Sequence, residues 1–122
     1  MAKRILVIED ELQIQELAKV FLEMQGYDVV IAASPADGAK KAVIDIDLAL
    51  IDIMMPGMNG YEVLDVIKKD PKYDKKKLKC VAFTAKSSGA DIAELTNRGF
   101  DAYIIKPFTF VEFKEQMAKL LH

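Results

Sequence analysis

The chain has 122 residues, of which 52% are hydrophobic and 30% charged, with 19 acidic and 17 basic side chains and a net charge of −2. That length fits one domain, residues 1–122, large enough to bury a core without disulfide or metal staples. The charge balance argues against non-specific nucleic-acid binding, the single cysteine, Cys80, excludes an internal disulfide, and no apolar run approaches the ~18 residues of a membrane span. The start, Met1-Ala2-Lys3-Arg4, is followed by only four apolar residues before Glu9, too few for a signal-peptide core. A reducing, cytoplasmic setting without membrane insertion is the expectation.

The first apolar run is Ile5–Ile8. It is continuous rather than alternating, the pattern of a parallel strand covered on both faces. Ile14, Leu17, Ala18, Phe21 and Leu22 then form a helical stripe that Gly26 ends. Val29–Ala33 is a second strand. Ser34-Pro35 opens a second helix, with Ser as N-cap and Pro at the first helical position; its face is Ala36, Ala39 and Ala42, so it buries little and packs closely. Leu48–Ile51 is a third strand and Tyr61–Lys68 a third helix. Asp70–Lys79, with Pro71 and a run of lysines, reads as a solvated loop, and a docking patch for an acidic partner is the lesser alternative. Cys80–Phe83, a helix from Gly89 to Arg98 stopped by Gly99, strand Ala102–Ile105 and a helix from Thr109 to the end complete the chain. The last helix carries Phe110, Phe113, Met117 and Leu120 on one side. The order βαβαβαβαβα implies an α/β fold, a five-stranded parallel sheet with helices on both faces.

Sites in such sheets form at the carboxyl ends of the strands, near the point where strand order reverses. Strand 1 ends in Glu9-Asp10-Glu11, strand 3 in Asp52, followed by Met54-Met55-Pro56-Gly57, strand 4 in Thr84-Ala85-Lys86 and strand 5 in Lys106-Pro107. Glu9, Asp10 and Asp52 converge if strands 1 and 3 are neighbours. Packed carboxylates raise one another's pKa unless a cation offsets them. Mg²⁺ suits the set, because it takes one or two carboxylates, keeps waters and binds phosphate oxygens. Lys106 adds a second positive centre and Thr84 a hydroxyl donor, which together suit phosphoryl transfer to an aspartate.

Other α/β chemistries fit less well. The chain has no G-x-G-x-x-G, no G-x-x-x-x-G-K-[ST] and no G-x-S-x-G. A dehalogenase-type phosphatase needs a second Asp where Met54 stands. Each acidic strand-end residue alone is more often a cap or a loop solvator, and Glu11 is read that way, as a favourable helix-dipole charge. Met54 and Met55 read as packing or loop residues, Cys80 as a core thiol and His122 as frayed. It is the joint placement at four strand ends that favours a site.

These residues resemble the response-regulator receiver domain, the phosphoryl-accepting module of two-component signalling. The likeness spans about Lys3 to Leu121. It rests on Ile5-Leu6-Val7-Ile8-Glu9-Asp10-Glu11, Leu50-Ile51-Asp52-Ile53-Met54-Met55-Pro56-Gly57-Met58-Asn59-Gly60, Phe83-Thr84-Ala85 and Asp101-Ala102-Tyr103-Ile104-Ile105-Lys106-Pro107-Phe108. The resemblance implies a flavodoxin-like strand order of 2-1-3-4-5. It makes Asp52 the phosphoacceptor. It makes Asp10, Asp52 and the backbone carbonyl of Met54 the Mg²⁺ ligands, with Glu9, where the family most often has Asp, acting through water. Lys106 is implied as the lysine that contacts Asp52 and then a phosphoryl oxygen. Thr84 is the switch hydroxyl, Tyr103 the aromatic that moves with it, and Met54 and Lys86 the residues that tune phosphoryl lifetime, here toward the longer side. The Lys106-Pro107 bond is implied to be cis.

The implied partners are a sensor histidine kinase or histidine phosphotransfer protein upstream and a target protein at the face of helix 4, strand 5 and helix 5. Direct nucleic-acid contact is not expected. The module is no enzyme beyond catalysing its own phosphorylation and dephosphorylation. A stand-alone regulator is the expectation; a receiver cut from a larger regulator and a receiver-like module that never takes phosphate are the alternatives.

Overall fold

The computed structural model describes residues 2–32, 34–86 and 88–121. Met1, Ala33 and His122, which figure in the sequence reading, lie outside the described residues. Ten elements alternate: β1 (Arg4–Ile8), α1 (Leu12–Met24), β2 (Asp28–Ala32), α2 (Pro35–Ala42), β3 (Leu48–Asp52), α3 (Gly60–Lys69), β4 (Lys79–Thr84), α4 (Gly89–Asn97), β5 (Ala102–Ile105) and α5 (Phe110–Leu120). All strand pairs are parallel, in the order β2-β1-β3-β4-β5, as the resemblance implied.

The continuous apolar strands have their cause in two cores. Ile5, Val7, Leu48, Leu50, Val81 and Phe83 bury one face with Ala18 and Leu22 of α1 and Phe113 and Met117 of α5. Leu6, Ile8, Ala49, Ile51 and Ala82 bury the other with α2, α3 and Leu95 of α4. Phe21, Phe108, Phe110 and Phe113 join α1 to α5 through edge-on, tilted and stacked ring contacts, with centroids 4.8 to 6.2 Å apart.

Local signals agree with these elements. The Ser34 hydroxyl accepts from the Asp37 N–H and so caps α2. Asn59 with Glu62, Ser88 with Asp91 and Thr109 with Glu112 form reciprocal capping boxes that start α3, α4 and α5. Gly26 and Gly99, at φ 88° and 104°, follow the ends of α1 and α4. Residues 70–78 form a loop, as expected, and Lys79, placed in that loop from the sequence, is instead the first residue of β4.

Two face assignments change. Leu17 is 42% exposed, and the buried line of α1 is Gln15, Ala18 and Leu22. Ala36 is exposed on α2, where Gly38 is buried instead. A Cβ on Gly38 would stand 2.6 Å from Ile8 Cδ1, so the missing side chain lets α2 lie directly on β1. A hydrophobicity pattern does not register a contact made by an absent group.

The helices are anchored unequally. α3 buries Gly60, Val63, Leu64 and Ile67, whereas α4 buries only Leu95. The C-terminal end of α4 is tied to α3: Lys68 Nζ donates to the Gly99 carbonyl at 2.7 Å, and the Arg98 guanidinium lies 4.4 Å from the centre of the Tyr61 ring.

Candidate functional site

Parallel register sets the site. Ile8 pairs with Ile51, so the next residues, Glu9 and Asp52, leave adjacent strands side by side. Thr84 pairs with Ile105, and Lys106 follows, its N–H donating to the Thr84 carbonyl at 2.7 Å. The Lys106-Pro107 peptide is cis, as the resemblance implied.

Glu9 is fully buried, Asp52 is 2% exposed and Asp10 is exposed. One carboxylate oxygen from each of the three lies within 4.8 Å of the others. Lys106 Nζ bridges the two buried acids, 3.1 Å from Glu9 Oε1 and 3.2 Å from Asp52 Oδ1. Asp52 Oδ1 also accepts the Met54 N–H at 3.1 Å. The other Glu9 oxygen accepts the N–H groups of Asp10 and Glu11 at 3.0 and 3.4 Å. Both oxygens of Glu9 are thus engaged within the protein, a placement its longer side chain permits. Glu11 is the N-cap residue of α1 and makes no side-chain cap bond; its backbone N–H is met by Glu9.

The electrostatics follow from this crowding. Burial, reinforced by the hydrogen bond and charge of Asp52 and only partly opposed by Lys106, pushes the Glu9 carboxyl up to about 8. Burial pulls the Lys106 ammonium down, but Asp52 and Glu9 outweigh it and leave its pKa raised. With both buried carboxylates ionised, the one ammonium leaves them short of one positive charge. Their all-oxygen donor set, with Asp10 open to solvent, fits a hard divalent cation.

Thr84 is buried, and its hydroxyl oxygen accepts the Lys86 N–H at 3.0 Å. The Lys86 side chain is exposed and the Met54 side chain is 63% exposed, while Met55 is buried. Met54, Asn59, Thr84 and Lys86 line a cleft of about 100 Å³ between the β3 and β4 ends and α4. Tyr103, half-buried on β5, packs against the core on the α4 side of the sheet.

Gln15 was not visible in the sequence as a site residue. It is buried on α1, and its amide Nε2 donates to the Glu9 backbone carbonyl, tethering the turn that carries Glu9 and Asp10. A glutamine next to an apolar stripe gives no signal for this, because its partner is a backbone atom in another element. Cys80 is a buried thiol, and burial, with Asp101 nearby, pushes it up to about 12. Among the described residues no helix is long and apolar enough to cross a membrane.

Comparison with known proteins agrees with this geometry. Residues 5–118 match the family model of the response regulator receiver domain. The DNA-binding response regulator MtrA of Mycobacterium tuberculosis is 34% identical over 110 residues, 88% of this chain and 46% of MtrA. The chain therefore spans about half the length of the curated relatives it matches. Among solved structures, a CheY-like receiver domain protein from Methanospirillum hungatei JF-1 is 34% identical, with a TM-score of 0.82, covering 98% of this chain and 94% of that one. The receiver domain of the sensor histidine kinase PA1611 from Pseudomonas aeruginosa PAO1 shares the fold at 23% identity and a TM-score of 0.85, covering 99% of this chain and 98% of that one. That structure holds a magnesium ion in its active-site cleft. With a family match over nearly its whole length and the sheet order to accompany it, this chain belongs to the response regulator receiver domain family.

Proposed function

We propose that residues 1–122 work as one receiver unit in which Asp52 accepts a phosphoryl group from a sensor histidine kinase or a histidine phosphotransfer protein. The observation that carries this reading is the Lys106 ammonium bridging two buried carboxylates at 3.1 and 3.2 Å. An Asp52 carboxylate oxygen attacks the phosphorus of a phosphohistidine, the new O–P bond forms as the P–N bond breaks, and the imidazole leaves and takes a proton. Lys106 stabilises the charge that develops on the phosphoryl oxygens. Asp10, Asp52 and the Met54 carbonyl, with Glu9 through water, are the residues that would hold Mg²⁺, which when bound neutralises phosphoryl charge. The magnesium seen in the PA1611 receiver supports that assignment.

The Thr84 hydroxyl then donates to a phosphoryl oxygen, and the half-buried Tyr103 moves into the space it leaves. This shifts the population of the α4–β5–α5 face toward a second packing that a target protein reads. Met54 and Lys86, at the mouth of the cleft, restrict hydrolytic water and lengthen phosphoryl lifetime. The protein acts as a signalling phosphoacceptor that catalyses only its own phosphorylation and dephosphorylation. It works in the cytoplasm and makes no direct contact with nucleic acid. We keep a stand-alone regulator as the reading, with a longer regulator, in which an attached output domain reads the same face, as the alternative that the half-length match to MtrA supports.

Labelling with acetyl phosphate tests the assignment by intact mass. The wild-type chain gains one phosphoryl group and Asp52→Asn gains none; full labelling of the variant overturns it. Thr84→Ala accepts phosphate yet loses phosphorylation-dependent partner binding.

A further inference from the structure

The segment joining α3 to β4 takes no part in the site. Lys79 opens β4, so this loop lies at the amino ends of the strands, opposite the carboxylates. Residues 69–79 hold Lys69, Lys72, Lys75, Lys76, Lys77 and Lys79 against Asp70 and Asp74, an excess of positive charge in a chain whose net charge is −2. All six lysines are exposed.

The loop is pinned rather than slack. Asp70 Oδ1 accepts the Lys72 N–H at 2.8 Å and Asp74 Oδ1 accepts the Lys76 N–H at 2.9 Å. The N–H groups of Lys77 and Leu78 donate to the Asp74 carbonyl at 3.1 and 3.0 Å. Leu78 is buried and Tyr73 packs against the same core, so two side chains anchor the loop while its lysines face out. Lys77 is neutralised by Asp45 and Asp47, at 3.6 and 3.2 Å, and Lys79 Nζ donates to the Leu120 carbonyl. Among the described residues no carboxylate lies within 4.0 Å of Lys69, Lys72, Lys75 or Lys76. Like charges held together on an ordered backbone favour an anionic partner, and the ordering cost of the loop is met before binding.

We propose that this loop is a docking surface for a short acidic segment of a protein partner, engaged through Lys72, Lys75 and Lys76. Three features favour a peptide over nucleic acid. The loop has no arginine for bidentate recognition of bases. Its one aromatic, Tyr73, is turned into the core and offers no stacking platform. The rest of the chain is net acidic, and that repels a long polyanion lying within a Debye length of about 8–10 Å. A short acidic segment meets only the lysines. The surface lies at the end of the sheet away from Asp52, so docking leaves the phosphorylation site open.

Fluorescence anisotropy with a labelled deca-glutamate peptide tests this on the full chain, with a short DNA duplex as the competing probe. The expected result is saturable peptide binding that weakens as salt rises. Lys72→Gln/Lys75→Gln/Lys76→Gln weakens it by about tenfold or more, because three of the charges that face the peptide are removed together. Lys19→Gln/Lys40→Gln/Lys114→Gln removes the same charge elsewhere and leaves binding within about twofold of wild type. Asp52→Asn binds as wild type does, which separates this surface from the phosphoacceptor reading. No saturable binding, equal weakening by both triple variants, or tighter binding of the duplex through the same lysines overturns the proposal.

Discussion

Gly60 and Gly89 are both the first residue of a helix that follows a capping box, yet their alanine variants should differ in sign. A Cβ on Gly60 would stand 2.6 Å from the Asp52 carbonyl oxygen, 2.8 Å from Ile53 Cα and 2.9 Å from Ile53 Cδ1. Ordinary carbon–oxygen contacts of about 3.3 Å leave a shortfall of about 0.7 Å, and two of the three neighbours are backbone atoms that cannot rotate away. The Gly60 N–H is bonded to the Ile53 carbonyl at 3.0 Å, so α3 and the turn after β3 must move together. Overpacking of this kind costs ~1–3 kcal/mol. Alanine's better helix propensity returns at most ~1 kcal/mol, so Gly60→Ala destabilises by about 1–2 kcal/mol. With a slope of about 1–3 kcal/mol/M, the urea midpoint falls by roughly 0.3–2 M.

The same overlap falls on the Asp52 carbonyl and so displaces Asp52 relative to Lys106, and since a misplacement of about 1 Å can cost ~10²-fold, the rate of labelling by acetyl phosphate falls by about tenfold or more. A Cβ on Gly89 meets nothing within 4 Å, so Gly89→Ala is neutral or more stable by up to ~1 kcal/mol, with an unchanged labelling rate. A Gly60→Ala protein that matches wild type or Gly89→Ala in midpoint and labelling rate would refute the reasoning.

Lys106→Met leaves Glu9 and Asp52 buried without their cation, and removing one partner of a buried pair costs ~3–5 kcal/mol; a urea midpoint in chelator equal to wild type contradicts this. Asp47 governs part of the acid limb of stability. Burial raises its carboxyl, but the Arg4 N–H and Lys77 outweigh burial and hold it below 3.8. The folded state therefore binds this proton less readily than the unfolded chain, and the stabilisation, complete above the unfolded value, is lost as pH falls through the folded one. Urea midpoints for Asp47→Asn should accordingly be lower than wild type at neutral pH, with a shallower decline on acidification; parallel curves count against the assignment. Cys80, pushed up to about 12, stays protonated at pH 8, so a thiol reagent modifies it at the rate of global unfolding and at full speed only in denaturant. Rapid modification of the native protein contradicts that burial.

Much of the site can be read along the chain because a parallel sheet turns strand ends into neighbours. Glu9, Asp52, Thr84 and Lys106 each follow an apolar run, so locating the runs brings these residues to one edge. Strand order is a different matter: nothing in the spacing of Ile5–Ile8 or Leu48–Ile51 specifies adjacency, and the order was supplied by family resemblance. What stayed hidden are contacts in three dimensions between unlike parts of the chain. The Gln15 amide is spent on a backbone carbonyl. Glu9 reaches Lys106, 97 residues away. Gly38 and Gly60 are recognisable only by what a side chain would strike. Leu17 lies just outside the buried line of its helix, a rotation that a five-residue stripe does not resolve.

The unequal anchoring of the helices has an energetic consequence. α4 has one buried side chain to pull from the core, whereas α3 has three besides Gly60. Its C-terminal end is held through Lys68 and Arg98. The inexpensive motion is therefore a pivot that swings the Ser88 end while the Gly99 end stays seated. Such a motion opens locally, far below the cost of global unfolding. The end so freed carries Asp91, which lines one cleft with Thr84.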